Sequence, residues 1–420
     1  MTVIHLALKS LKNRKATGLL TILSIAVSVA LLLGVERIRV EARNSFTSTI
    51  SGTDLIIGAR SSPMNLLLYS VFHIGNATNN LSWQTYRELT SDSAVKWAIP
   101  IALGDSHRGY RVVGTNHDLF KHFRYGSGQS LQVQKGKVFK GLFDAVLGSE
   151  VAARLNYHLG DAITLSHGVE SKSLLQHDDK PFRVSGILVP TGTPLDRAIL
   201  ISLEGIEALH IDWLNGAPPI PGLSISAEKA SQMELQPKSI TAYFVGLTSR
   251  MAAFGYQRRV NEFRTEAMTA ILPGVALQEL WQLVGSAEKA LLAISIMVVV
   301  AGLIGMLTTI LTSLNERRRE MAILRSVGAR PGHIFQLMIF ESLLYAIAGS
   351  FAGVALLYVL MLVIQPVIQN TLGLHLNINW PGSYELIIIA VISLCATGLG
   401  TIPAWRAYRN SLADGLTVRL

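Results

Sequence analysis

The stretch Glu316–Ile334, ERRREMAILRSVGARPGHI, gathers the densest set of side chains able to make strong polar contacts. Glu316, Arg317, Arg318, Arg319, Glu320, Arg325 and Arg330 supply both signs of charge, which suits charge-assisted hydrogen bonds that seat one surface on another. Met321, Ile323, Leu324 and Val327 recur at helical spacing, and Gly328 and Pro331 end the helical pattern. A loop that only fixes membrane topology needs the arginines but neither the two glutamates nor the apolar stripe. The expectation is a docking helix over Glu316–Arg330 whose apolar side is anchored at a membrane.

Bond-making chemistry finds little support elsewhere. No G-x-x-x-x-G-K-[ST] occurs, and Gly136-Lys137 is followed by Val138 without the upstream glycine spacing, so no P-loop cradles nucleotide phosphates. The histidines, among them His107, His117, His122, His158, His167 and His177, show no HExxH and no tight pairing, which favours ordinary surface or core histidines over a metal site assembled in space. Ser149 in Leu-Gly-Ser-Glu-Val is not a nucleophile elbow, and no paired carboxylates stand out. No catalytic residue, metal ligand or cofactor of this chain is therefore expected. Glu341, at the start of an apolar run, reads two ways: an intramembrane ion or proton site, or an interfacial charge that pairs with an arginine or caps a helix. Asn76-Ala77-Thr78 and Asn80-Leu81-Ser82 fit glycosylation sequons, which matter only in a eukaryotic secretory setting.

The elements that must carry the charged helix are membrane spans. Of 420 residues, 50% are hydrophobic and 15% charged, and the mean hydropathy is +0.38, which excludes an ordinary soluble protein. The net charge of +9 does not mark a nucleic-acid binder. Between Glu36 and Lys289 there are 25 Lys/Arg against 23 Asp/Glu, so the excess lies in short segments that flank apolar runs. Residues 1–15 read as an amphipathic N-terminus and 16–38 as the first span, extending as a stalk to about residue 50. A cleaved signal peptide is disfavoured by the length of the run and by the lack of a small-x-small site before Glu36. A stalk and second span follow over 277–314, the charged loop over 315–333, a third span over 334–365, a connector without Lys or Arg over 366–385, a fourth span over 386–405 and a tail over 406–420. The basic N-terminus, charged loop and tail are expected in the cytoplasm, which places residues 51–276 outside it. Gly302 with Gly305, and Gly349 with Gly353, permit close helix packing within one chain or between two.

The large region reads as mixed α and β. Strands are expected at Tyr110–Gly114, at the start and end of Ala145–Leu165 with a helix between, at Phe182–Pro190 and at Ala198–Ser202. Ser51–Asn80, rich in Gly, Ser and Asn, reads as an ordered loop with an apolar insert, and NGAPPIPG at Asn215–Gly222 as a loop. Cys395 is the single cysteine, so a core of roughly 250 residues must hold the domain without a disulfide.

The charged loop, with Phe340-Glu341-Ser342 after it, resembles that of FtsX-like permeases, the transmembrane subunits of MacB/LolCDE-type (type VII) ABC transporters. Pro403-Ala404-Trp405-Arg406-Ala407 with Leu416 resembles the family's C-terminal pattern, and LGSEVAARL, LGDAITL, FRVSGIL and TGTPLD resemble the MacB-like periplasmic core domain. Ala322 replaces a frequent glycine, and the usual tail proline is missing from Ser411-Leu412-Ala413-Asp414. The resemblance implies four transmembrane helices plus an α+β extracytoplasmic domain between spans one and two. It further implies a bacterial inner-membrane location, with both termini cytoplasmic. The Glu316–Arg330 helix would dock on a separate ABC ATPase that uses ATP and Mg2+, and relay its motion to the periplasmic domain. Implied partners are that ATPase, a second permease copy or paralogue, membrane lipids, and either a periplasmic adaptor with an outer-membrane channel or a lipoprotein chaperone, but no nucleic acid. A membrane-anchored periplasmic sensor or scaffold is the rival reading.

Overall fold

The computed structural model describes residues 15–126, 128–168, 179–213, 225–316, 318–372 and 382–409. Residues 1–14, His177, the 215–222 loop, Arg317 and the 411–420 tail lie outside the described residues, as does 373–381 of the 366–385 connector. The chain divides into two compact units. One comprises Met1–Glu41, Gly285–Ile368 and Leu376–Leu420, and the other is essentially Ala42–Val284.

The first unit is built from apolar helices. Lys15–Ser48, Pro273–Glu316, Pro331–Leu372 and Ser383–Arg409 each contain a stretch long and apolar enough to cross a membrane. They lie where the hydropathy pattern places spans, but the third continues past residue 365 to Leu372 and the second begins at Pro273, because proline is accepted at the first turn of a helix. In the first helix 44% of the apolar window is buried, against 22% to 28% in the others, so it forms the centre of the bundle. Its neighbours approach through small residues. A Cβ on Gly302 would lie 2.6 Å from Ser28 Oγ, one on Gly349 2.6 Å from Ile25 Cβ, and one on Gly353 2.7 Å from the Ala26 carbonyl oxygen. These glycines thus serve packing within one chain. Ser28 Oγ donates to the carbonyls of Ser24 (2.9 Å) and Val298 (3.2 Å), so its hydroxyl bridges two helices with no polar group left to lipid. Arg37 donates to the Tyr358 hydroxyl at 2.7 Å, which gives a charge near the end of the first span a fixed partner.

The second unit is an eleven-stranded mixed sheet. Nine strands form one path in the order Met268–Ile271, Leu55–Ala59, Ala242–Leu247, Val95–His107, Tyr110–Thr115, Ala198–Ser202, Asp144–Leu147, Phe182–Leu188 and Val133–Gly136. Most neighbours are antiparallel, but Ala198–Ser202 pairs parallel with Tyr110–Thr115 and Asp144–Leu147 with Phe182–Leu188. Helices cover both faces, so the central strands are buried throughout instead of alternating with polar residues. Ile56, Ile99, Val113, Val146, Leu200 and Phe244 pack on one face with Leu66 and Leu67. On the other face Ile57, Tyr243 and Val245 pack with Tyr256 and Val260, and Leu147 and Ile199 pack with Val151.

The strands expected at Tyr110–Gly114, Ala145–Leu165, Phe182–Pro190 and Ala198–Ser202 are present with shifts of a few residues at their ends. Ser51–Asn80 is not a loop. It contains the strand Leu55–Ala59 and the helix Pro63–Val71, which starts because Ser62 accepts the Asn65 N–H at 3.2 Å and Pro63 occupies the first turn. The TGTPLD turn is closed by buried Asp196, whose carboxylate accepts from Gly192 N at 2.7 Å, Thr191 N at 2.9 Å and Thr191 Oγ1 at 2.9 Å.

Candidate docking helix

Helix is present up to Glu316 and again over Arg318–Ser326, on either side of residue 317. It ends where the sequence punctuates it. Gly328 adopts φ +100°, Gly328 N donates to Arg325 O at 3.1 Å, and Ala329 N donates to Leu324 O at 2.9 Å. This pair of bonds is the Schellman arrangement, in which a left-handed residue satisfies the last helical carbonyls. Val327–Arg330 is therefore a turn, so Arg330 lies beyond the helix rather than on it, and Pro331 starts the third span helix.

The apolar stripe does not bury as a unit. Met321 packs into the bundle core with Leu314, Ile334, Leu337 and Met338, and Ala322 is buried beside it. Leu324 and Arg325 are half-buried, whereas Glu320, Gly328 and Arg330 are exposed. Ile323 is 59% exposed and Val327 83% exposed. At spacings of three and four, Glu320 and Ile323 on the helix and Val327, just past its last residue, line up on one side. That face carries two aliphatic side chains with an acidic one above them, in the short connection between two spans. Such a surface can seat in a groove by apolar contact while its charges fix the register. Helical spacing shows that the four apolar residues recur, but only the position of the neighbouring helices decides that Met321 turns inward and Ile323 and Val327 outward.

Glu341 is 3% exposed and lies well inside the third span helix, so it caps no helix end. Tyr345 Oη donates to Glu341 Oε1 at 3.5 Å, one turn along. Ser342 and Ala346, beside them, are fully buried, and the Ser342 side chain meets Gly400 of the fourth span. The carboxyl group is thus buried within the helix bundle, beside Tyr345 and Ser342.

Residues 19–242 match the family described as MacB-like periplasmic core domain, and residues 292–412 match the FtsX-like permease C-terminal family. A macrolide export ATP-binding/permease protein MacB 1 from Yersinia pestis bv. Antiqua (strain Antiqua) is 24% identical over 288 residues, covering 58% of this chain and 43% of that protein. The macrolide export ATP-binding/permease protein MacB of Syntrophobacter fumaroxidans is 31% identical over 125 residues, 29% of this chain and 16% of that protein. This chain therefore spans less than half the length of these curated relatives. The crystal structure of the extracellular domain of YknZ, a noncanonic ABC-type transporter from Gram-positive bacteria, covers 52% of this chain and 99% of its own, with 14% identity and a TM-score of 0.31.

Proposed function

Because this chain belongs to the FtsX/MacB-type permeases, we propose that it is the membrane subunit of a bacterial inner-membrane ABC transporter, working with a partner ATPase. The observation that carries this reading is the outward Ile323–Val327 face on the short helix between the second and third spans. In this reading the helix seats on the ATPase in the cytoplasm, and closure of the ATPase pair around ATP moves it. The long helices Lys15–Ser48 and Pro273–Glu316 then relay that movement to the Ala42–Val284 domain on the periplasmic side. ATP must favour one arrangement of these elements for the stroke to occur. No substrate need pass between the four spans. The work done is export or extraction of a periplasmic or membrane-borne cargo by a dimer of permeases, and the basic flanks of the spans support this orientation.

The test is the double variant Ile323→Asp/Val327→Asp. It should insert in the membrane at the wild-type level yet lose co-purification with a co-expressed partner ABC ATPase, and lose ATP-dependent transport with it. ATPase association that withstands both substitutions would overturn the docking role and leave the sensor or scaffold reading in its place.

A further inference from the structure

Three side chains distant in sequence converge at one edge of the α/β domain: Asp105, His167 and His210. His167 Nδ1 lies 3.2 Å from Asp105 Oδ1 and 3.2 Å from His210 Nε2, and His210 Nε2 lies 3.5 Å from Asp105 Oδ1. These are the edges of a nearly equilateral triangle. Tetrahedral ligands bonded at ~2.0–2.1 Å to Zn2+ stand ~3.3 Å apart, so the three atoms already form one face of a zinc coordination tetrahedron.

The backbone sets this geometry. Asp105 lies at a β-bulge in Val95–His107, where the register against Tyr110–Thr115 shifts between Leu103 and Ser106, and bulges re-aim side chains. His167 is its direct cross-strand partner in the short strand Ser166–His167. His210 is the last residue of the helix Leu203–His210, and its Nδ1 faces the Ile206 carbonyl oxygen at 2.9 Å. A carbonyl accepts only, so Nδ1 carries a proton and Nε2 is the ring atom turned toward the Asp105 carboxylate. A backbone carbonyl on the far nitrogen is also how metal-ligating histidines are oriented. Trp213 walls the cluster, with its ring 5.2 Å from that of His167 and 5.6 Å from that of His210.

We infer that Asp105, His167 and His210 form a binding site for one borderline divalent metal ion of the Zn2+ class. Two imidazoles and one carboxylate suit Zn2+, Cu2+ or Ni2+, whereas Ca2+ and Mg2+ require more oxygen ligands. Asp105 is 1% exposed at the base and His167 43% exposed at the rim, so the fourth position opens toward solvent and takes water. The ion would tie the helix Leu203–His210 and the Ser166–His167 strand to the central strand of the sheet.

The experiment uses the full chain in detergent, without a histidine tag, stripped by a chelator and equilibrated with Zn2+ or Co2+. One Zn2+ per chain should be retained, Co2+ should give the intense visible bands of a tetrahedral site, and excess Mg2+ or Ca2+ should not compete. His167→Ala and His210→Ala should each weaken Zn2+ binding by more than the ~10–100-fold that loss of an outer-shell partner costs. The rim position of His167 keeps that variant folded even if Asp105→Asn is not. Zn2+ should also raise the unfolding temperature of the wild type in a concentration-dependent way, and not that of His167→Ala. His158→Ala, which alters an exposed histidine elsewhere, should bind as wild type does. Absence of stoichiometric Zn2+, or binding that is undiminished in both histidine variants, would overturn the site.

Discussion

Gly353 on the third span and Val29 on the first meet so closely that a methyl group cannot fit: a Cβ at 353 would stand 2.8 Å from Val29 Cβ. Small residues let the backbones approach, and dispersion contacts then replace the hydrophobic drive that lipid cannot supply. Gly353→Val should destabilise the helix bundle by about 1–3 kcal/mol, the cost of overpacking a fitted core. Thermal unfolding in detergent reads this directly. Gly398→Ala, where a new Cβ meets no atom within 4 Å, is the matched control and should be neutral or mildly stabilising. Equal effects at the two positions would show that the close approach is not what holds the spans.

Gly328 ends the candidate docking helix with a positive φ that an L side chain adopts at a cost. Gly328→Ala should cost about 1 kcal/mol locally and loosen the turn that aims Ile323 and Val327. Gly328→Asn, which tolerates the left-handed region, should fall between the two. If the turn sets the docking geometry, ATPase stimulation by the permease should follow the order Gly, Asn, Ala while membrane insertion stays constant.

Charge at the same helix is separable from its apolar face. Arg318→Glu with Arg319→Glu should leave the bundle inserted, because the remaining basic flanks still hold the topology. ATP hydrolysis by the reconstituted complex should then continue without transport. Transport at the wild-type rate would show that these arginines serve topology alone.

Lys180 is fully buried, with Nζ 2.9 Å from both carboxylate oxygens of Asp212 and 2.9 Å from Asp179 Oδ2. Lys180→Met strands the buried Asp212 carboxylate and should destabilise the domain by about 3–5 kcal/mol. Adding Asp212→Asn should restore part of that loss, since the uncompensated charge then disappears while Ile225 N keeps an acceptor. Chemical denaturation of the three variants gives the coupling. An additive double variant would mean the pair contributes no mutual stabilisation.

How far the sequence could be read follows from what each signal depends on. Ala198–Ser202 is a pure apolar run bounded by turn residues, and periodicity suffices for it. Val95–His107, the strand that links the two halves of the sheet, is broken up by Lys96, Pro100 and Gly104, and its role is visible only from its neighbours. The helix Pro63–Val71 is hidden in a segment whose glycines and serines suggest a loop, although Ser62-Pro63 is a local start signal. For the helix Arg318–Ser326, Gly328 and Pro331 mark its end in the sequence, but the split between Met321 and Ile323 is a property of packing. His167 and His210 stand 43 residues apart, and His167 and Asp105 62 apart, so no motif spacing could have joined them.

Acid should weaken the α/β domain through His73, whose position follows from the end of the helix Pro63–Val71. It takes φ +56°, and Ile74 N bonds back to Leu68 O at 3.0 Å, so His73 occupies the left-handed cap. Burial, aided by the nearby Arg111 guanidinium, pushes its pKa down from the ordinary value near 6.5 to about 4. The folded state therefore holds this imidazole neutral, while the unfolded chain takes up a proton as the pH falls below about 6.5. Stability from this group is present above pH 6.5 and is lost progressively between pH 6.5 and 4. Because the ring keeps some contact with solvent, the loss is about 2 kcal/mol. His107 and His122 are shifted the same way by burial, so the wild type should show a larger total. His73→Asn keeps a residue suited to the left-handed cap and removes the titration, and its loss of unfolding free energy between pH 7 and 4.5 should be smaller by that ~2 kcal/mol. Parallel pH profiles for wild type and variant would assign the acid sensitivity to the other histidines.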